Sequence, residues 1–532
     1  MILNDVDSLL HHFYLVWIKS NRQEFNYEFF HVKLKINDIE IGDHLMKIAI
    51  VGFGVSGAAL LMALKTSGKL DTNIQVDIFD PSEEPAVGLA YGKDDKHLLI
   101  NAFPTAMSLN QENKFEFTEW LRKNYPEYNA KVDLIPRPIF GEYAKERLTP
   151  LLEEENVTFY QKEVADIFVN TKNGIKTYDL IDLDNKQYDS YDYLLLALGT
   201  PPYQDFYNLR GVENYIHNPY PVVDKLGIIP EHKRVGIIGS GLTAFDLVNY
   251  LSHEKDLKQP IGIFTNIPYF NTLRVDPYQG PALEYTLDKA WINKQLEKHH
   301  GIIPLENMLD AIKHDLNANR INLPAIRSQY DPTDLEGTYH VYFDKEHPEL
   351  SKLQGYIGQL AGNLGDLYMA LTNDDKARYH TEFAPLFRHY RVRLAPDAVE
   401  NMYHLMKKDE LFVVTDLVDI HKEDTFTLTS ADGKTYETDI VINASGFSFN
   451  TDRIGEDNTL LSRLLDKGFL RDKDKRGVLV SWPETQVMNQ IDGVLETCFY
   501  IGPWLSNTHY GNNNVKALVQ KAHEIVTEYM DI

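Results

Sequence analysis

Two stretches of this chain share one design, a short apolar strand followed by a glycine turn and a helix. The first, "MKIAIVGFGVSGAALLMAL", starts at Met46 and sets Gly52, Gly54 and Gly57 in G-x-G-x-x-G spacing behind the apolar residues 48–51. The second, "HKRVGIIGSGLTAFDLVNYL", sets Gly239, Gly241 and Ala244 behind residues 235–238. In such a unit the first glycine permits a tight turn and the second lets a phosphate approach the backbone. The third position lets the helix pack closely on the strand. The helix start, Val55 and Ser56 in one copy and Leu242 and Thr243 in the other, then offers its unpaired N–H groups to the phosphates. A strand of this kind is apolar on both faces and belongs inside a parallel sheet. The fold expected is therefore α/β, with two Rossmann-like dinucleotide-binding domains and two nucleotide cofactors.

The residue that ends the second strand of each unit discriminates between nucleotides. "IQVDIFD" ends in Asp80, about 20 residues past the glycines, where a carboxylate can accept hydrogen bonds from ribose hydroxyls. "IGIFTNIPYF" ends instead in Thr265 and Asn266, so a ribose 2′-phosphate would meet no repulsion. The second site is read as favouring NADPH, with NADH as the alternative, and Arg274 is close enough in sequence to supply positive charge.

A second echo aligns residues 180–199, "LIDLDNKQYDSYDYLLLALG", with residues 427–446, "TLTSADGKTYETDIVINASG". Each has a turn, then a buried strand ending in A-x-G, with Asp192 and Asp439 the same distance ahead of the glycine. More strand-like sequence precedes each, so each reads as a β-meander feeding back into a parallel sheet and marking where the chain passes between domains. Residues 280–395 read as a helical insertion. The resulting boundaries are an N-terminal extension at 1–45, a first part of the FAD domain at 46–230, an NAD(P)H domain with the insertion at 231–395, and a second part of the FAD domain at 396–532. Residues 1–45 show no clear periodicity and read as translation from an upstream start or as a surface extension.

Charge and cysteine content narrow the partners. With 53 basic and 78 acidic side chains the net charge is −25, which repels nucleic acid and anionic lipid. The single cysteine, Cys498, excludes an internal disulfide and a C-x-x-C redox pair, so a cytoplasmic location is expected. No apolar run approaches the roughly 20 residues of a membrane span. There is no H-E-x-x-H, no tight His/Asp cluster and no G-x-S-x-G elbow, so no metal is expected.

Further segments are more specific: "VGLAYG" (87–92), "LLINAFPTAMSL" (98–109), "PRPIFGEYAKERL" (136–148) and "RHYRVRLAP" (388–396). Together with the glycine turns they resemble a bacterial family of FAD-NAD(P)-binding proteins of the two-dinucleotide-binding flavoprotein type, similar to N-hydroxylating flavin monooxygenases. The resemblance implies that Gly52, Gly54, Val55, Ser56, Gly57 and Asp80 bind FAD, with Asn101, Met107 and Ser108 running past the flavin. It implies that Gly239, Gly241, Leu242, Thr243, Ala244, Thr265 and Asn266 bind NADPH. "DIVINASGF" is close to the D-x-x-x-[LF]-A-T-G-Y signature of N-hydroxylating enzymes, differing at Asn443, Ser445 and Phe447, and brings Gly446 to the cofactors. "GNNNVKALVQKAHEIV" reads as an asparagine-capped helix, and in related flavoproteins such a helix start, here Asn513, faces the flavin. The Baeyer–Villiger fingerprint is not found.

In "RHYRVRLAP", strand alternation would put Arg391 and Arg393 on one side, suited to a substrate carboxylate or the NADPH 2′-phosphate; ion pairing with acids is the alternative. The reading as a whole is an FAD-dependent, NAD(P)H-using oxidoreductase, a flavin monooxygenase acting on a small, amine-bearing substrate. The alternatives are a reductase passing electrons to a small or protein acceptor, and a non-catalytic FAD-binding sensor or scaffold. Protein expressed from Met46 onward is expected to remain folded and flavin-loaded, because β-pairing of the first strand comes from later strands. Insoluble protein, or flavin loss with a large fall in Tm, would show the extension to be integral.

Overall fold

The computed structural model of the protein describes residues 45–532 apart from 173, 267–269, 345 and 513. The expected extension, 1–45, lies outside the described residues but for Leu45, and Asn513 lies outside them too. The first parallel sheet begins with β1 (Met46–Val51), β2 (Ile74–Phe79) and β3 (Val157–Tyr160). An antiparallel meander comes next, β4 (Val164–Lys172), β5 (Ile175–Asp182) and β6 (Gln187–Tyr191), and the chain returns as β7 (Tyr193–Leu196) beside β1. The second sheet repeats these events. After the short β8 (Tyr215–Ile216) come β9 (Val235–Ile238), β10 (Ile261–Phe264) and β11 (Leu411–Val414). A meander of β12 (Leu417–Lys422), β13 (Phe426–Ser430) and β14 (Thr435–Thr438) leads to the return strand β15 (Ile440–Asn443). A hairpin, β16 (Asp472–Lys473) and β17 (Arg476–Val478), precedes β18 (Gln486–Asn489) and β19 (Gly493–Tyr500), which join the first sheet. The sheet orders are β18-β19-β7-β1-β2-β3 and β11-β10-β9-β15-β8. Thus β7-β1-β2-β3 and β15-β9-β10-β11 are one arrangement made twice.

The internal echo has a structural cause. Asp192 accepts a 2.8 Å hydrogen bond from the Lys47 N–H, and Asp439 accepts one of the same length from the Arg234 N–H. Each aspartate sits at the start of the return strand and fixes its register against the central strand, so Asp439 is explained as a strand-start residue. Arg234 also reaches it through Nε at 3.0 Å, and this pairing holds the Asp439 carboxyl below the usual range. At the other end of the return strands the carbonyls of Ala197 and Ala444 lie where a Cβ on Gly52 or Gly239 would be, 2.1 and 2.4 Å away. Both glycines have positive φ, +91° and +114°. Only glycine combines that backbone with that approach.

Strand pairing moves one expected boundary. The sequence reading ended the second domain at 395, but β11 and β15 hydrogen-bond within the second sheet, so that sheet continues to Asn443. The reason is that the long helical insertion separates β10 from its neighbour β11, which sequence order alone assigns to the next domain. The chain crosses between the sheets twice, and the crossings lie side by side. Ser448 N–H donates to Pro202 O at 2.7 Å, Gln204 N–H donates to Gly446 O at 2.8 Å, and Tyr203 bridges to Phe447.

Helix Val55–Thr66 is buried without a break from Gly57 to Leu64. It packs against helix Val515–Glu524 and has no polar face to spare, as expected for a helix enclosed on all sides. A buried ion pair ties the two sheets' helices together. Arg137, at the start of helix Arg137–Leu152, donates to Asp246 of helix Leu242–Glu254 at 2.5 Å, and Tyr220 donates to the same oxygen at 2.8 Å. Burial pushes the Asp246 carboxyl up, opposed by the Arg137 charge. Removing one partner strands a buried charge, so Asp246→Ala is expected to cost about 3 kcal/mol, measured by denaturant unfolding, while Arg137→Met with Asp246→Leu recovers most of it. Equal stability of Asp246→Ala and the parent would show the pair to be well solvated.

Candidate functional site

The first glycine turn is held from two directions. The Asp80 carboxylate accepts from Phe53 N–H at 2.6 Å and from Ser82 N–H at 2.8 Å, so it braces the turn. A Cβ on Gly57 would come within 2.1 Å of Gly52 O, which makes the third glycine a packing requirement. Gly54 faces the backbone of "VGLAYG": a Cβ there would stand 3.4 Å from Gly88 Cα, and Ala86 N–H donates to Phe53 O at 2.7 Å. The second glycine thus admits a neighbouring loop as well as leaving the backbone bare. Gly54 is the N-cap of helix Val55–Thr66 and gives it no side-chain cap, leaving the helix start available to an anion.

The second turn is built in the same register. Gly52 N–H donates to Phe79 O and Gly239 N–H to Phe264 O; Asp80 N–H donates to Tyr160 O and Thr265 N–H to Val414 O. Thr265 therefore occupies the place of Asp80, and its hydroxyl lies 3.5 Å from that of Ser240, the residue matching Phe53. Thr265 is buried and Asn266 exposed. Helix Leu242–Glu254 also lacks a side-chain cap, and a Cβ on Gly241 would meet nothing within 4 Å. Leu242 and Thr243 open this helix and the buried Ala244 takes the third position. The cradle fits a dinucleotide, with no acid at the position where the first turn has one.

The segments singled out in the sequence interlock around the first turn. A Cβ on Gly141 would lie 2.0 Å from Tyr91 O, and Arg137 N–H donates to Leu98 O at 2.9 Å, so "PRPIFGEY" packs on both "VGLAYG" and "LLINAF". Met107 is buried in the first core, while the Ser108 hydroxyl donates to Asn113 O at 2.7 Å inside its own loop. At the C-terminus Asn514 caps helix Val515–Glu524, accepting from Ala517 N–H at 2.9 Å. Asn512 donates to Gly502 O at 2.6 Å, and a Cβ on Gly502 would lie 3.8 Å from Ser56 Oγ. The starts of the first and last helices are thereby brought to one place. Gly446, with φ +83°, sits on the crossing between sheets. His509 is packed beside Trp482, ring centroids 5.4 Å apart, and burial, aided by Lys521, lowers its pKa to about 4.

Two arginine expectations change. Arg274 does not reach Thr265: its Nη2 donates to Asn101 O at 2.8 Å and Oδ1 at 3.0 Å, and the guanidinium lies over the Phe103 ring. Arg391 and Arg393 are not on a strand. Arg391 closes helix Ala384–Arg391, because the segment is amphipathic at helical spacing, and donates to Gly511 O at 3.1 Å. Arg393 donates to Gln354 O at 2.6 Å. Burial lowers all three, Arg274 and Arg393 to about 10, and the neighbouring arginine adds to the effect on those two. None of the three has an ion-pair carboxylate among the described residues.

Beside these arginines the helical insertion, with Tyr510, forms a half-open chamber of about 350 Å³ lined only by Leu, Ile, Met, Phe and Tyr side chains. Sequence reasoning missed it. Its signal is the run of leucines and tyrosines at helical spacing in residues 283–390, which reads equally as ordinary core. The structure also gathers Asp95, His97 and Glu254, which the sequence reading did not group; their ligand atoms lie within 4.8 Å of one another. His97 bonds to Asp95 at 2.8 Å and stacks on His253, which accounts for the group as a hydrogen-bonded cluster. No described helix is long and apolar enough to cross a membrane.

Comparison with known proteins agrees with this architecture. Residues 49–201 match the family model described as FAD-NAD(P)-binding. No curated protein matches by sequence. The fold is similar to that of the ornithine N-hydroxylase of Kutzneria sp. 744, with a TM-score of 0.53 at 14% identity, covering 90% of this chain and 97% of that one. It is likewise similar to the ornithine hydroxylase of Pseudomonas aeruginosa and the L-lysine 6-monooxygenase of Pseudomonas syringae. Each of these has a TM-score of 0.51 at 14% identity, covering 90% of this chain and 97% of the other. The chain thus shares the fold of these structures, and its first glycine turn lies in a segment that matches the FAD-NAD(P)-binding family model.

Proposed function

We propose that the protein is an FAD-containing, NADPH-using oxidoreductase, and within that class a flavin monooxygenase acting on a small organic substrate. The observation that carries this reading is the duplication: two uncapped glycine turns at the same place in two copies of one sheet, one braced by Asp80 and the other with Thr265 in the equivalent place. Bound FAD would supply the redox chemistry, taking electrons from NADPH and passing them to dioxygen. The chain's part is to bind and orient. The Gly52–Gly57 turn and the start of helix Val55–Thr66 hold the FAD pyrophosphate. Asp80, whose oxygens keep acceptor capacity beyond the two N–H groups they meet, takes the ribose. Asn101 and Met107 lie along the flavin, and Gly446 and Asn513 complete its surroundings. The second turn and the start of helix Leu242–Glu254 hold NADPH, with Thr265 and Asn266 beside the 2′-phosphate. His509, packed beside Trp482, is kept neutral by burial at neutral pH.

An amine-bearing substrate is the first to test, because the solved neighbours named above act on ornithine and lysine. A cytoplasmic location fits the single buried cysteine. Purified protein is expected to be yellow with equimolar FAD, and Gly54→Val to lose it, read from the flavin absorbance; a parent that stays colourless after incubation with FAD would refute the reading. NADPH is expected to reduce the flavin faster than NADH in stopped flow. Thr265→Asp, which sets a carboxylate against Ser240 N–H as Asp80 stands against Phe53 N–H, should reverse that order by tenfold or more, roughly 1.4 kcal/mol of differential binding. Equal rates with both nucleotides in the parent would remove the argument from Thr265.

A further inference from the structure

The apolar chamber and the three arginines adjoin. Tyr379 and Tyr510 line the chamber, and their hydroxyls lie 3.1 Å apart. Gly511, next to Tyr510, accepts the hydrogen bond from Arg391, and a Cβ on Gly511 would lie 2.9 Å from that guanidinium and 3.4 Å from chamber-lining Leu364. Arg393 bonds to the carbonyl of Gln354, between the walls formed by Leu353 and Tyr356. Arg274 continues the line to Asn101, in the segment that runs past the proposed flavin. The Nε atoms of Arg274 and Arg393 are buried without a hydrogen-bond partner. Three guanidinium groups lie together, Arg274 buried and Arg391 and Arg393 half-buried, in a protein of net charge −25, and their described bonds go to carbonyl and amide oxygens. Among the described residues such a group lacks the anion that would balance it.

We propose that this chamber binds an amphipathic carboxylate, its apolar body among the leucines and tyrosines of the helical insertion and its carboxylate against Arg391 and Arg393. The chamber's size falls in the roughly 300–1,000 Å³ range of small-molecule pockets, and its lining offers no hydrogen-bonding group but tyrosine hydroxyls. An aliphatic body is therefore favoured and a polar one excluded. Arginine suits a carboxylate because its planar fork can bind both oxygens. A ligand with only a cationic head would meet three like charges. The inference rests on the function proposed above only in setting the carboxylate beside the flavin; the binding itself needs no turnover.

The test is calorimetric titration of the full-length protein, as purified, with decanoate, decanol, decylamine and NADP⁺. Decanoate is expected to bind at least tenfold more tightly than decanol, with decylamine weakest. Arg393→Gln and Arg391→Gln should each remove the advantage of decanoate over decanol. Leu353→Trp, which fills the chamber, should abolish binding of both while the near-ultraviolet circular dichroism and Tm show the protein folded; if it does not fold, Leu309→Phe serves the same purpose. Equal binding of acid and alcohol, or no binding of either, overturns the proposal. So does an arginine variant that weakens NADP⁺ and leaves decanoate unchanged, because the arginines would then belong to the nucleotide phosphates. Flavin absorbance of the same samples separates the two readings. Yellow protein that ignores decanoate sinks this inference alone, and colourless protein that binds it sinks the flavoprotein reading alone.

Discussion

The structure depends on a contact between a carbonyl and a place where a side chain is missing. Ala197 O lies against Gly52, and Ala444 O against Gly239, at distances no Cβ would allow. This approach lets the return strand run directly beside the central strand, so the turn, the helix start and the end of the return strand meet at one point. The aspartates at the other end, Asp192 and Asp439, hold the same strand pairs in register. Each domain is thus pinned at both ends of one strand pair, and its ligand-binding edge is fixed by backbone geometry.

From that edge the rest is stacked by successive close approaches. Gly88 packs on Gly54, Gly141 on the Tyr91 carbonyl, and Arg137 crosses to Asp246 of the other sheet. The segments 87–92, 98–109 and 136–148 touch one another. The paired crossings at Tyr203 and Phe447 add a backbone link between the two sheets. Positions of the residues around the first glycine turn are therefore set by contacts that tolerate little change in volume.

The helical insertion obeys a different logic. It contributes an apolar chamber, and beside it arginines whose charges are opposed by burial and by each other. Cost of this kind is found where a site is prepared in advance of its ligand, since bound-state interactions then offset what the free protein gives up. Specificity would accordingly reside in the insertion, and the chemistry in the duplicated sheets.

What the sequence determined by itself was local: glycine spacing, an acid or its absence at the end of a strand, and the meander that precedes each return strand. These arise from short-range sterics and from period-two burial, so two dinucleotide folds and the equivalence of Asp80 and Thr265 were legible. The role of Asp439 was legible only through its echo in Asp192. Tertiary structure decided where β11 and β15 pair, because the insertion breaks the link between order in sequence and neighbourhood in the sheet. It also decided that Arg391 ends a helix, that Arg274 turns to Asn101, and that Ser108 bonds within its own loop. Leucines and tyrosines at helical spacing say that a face is apolar. Whether that face closes on other side chains or around a chamber depends on helix packing, which no local pattern encodes.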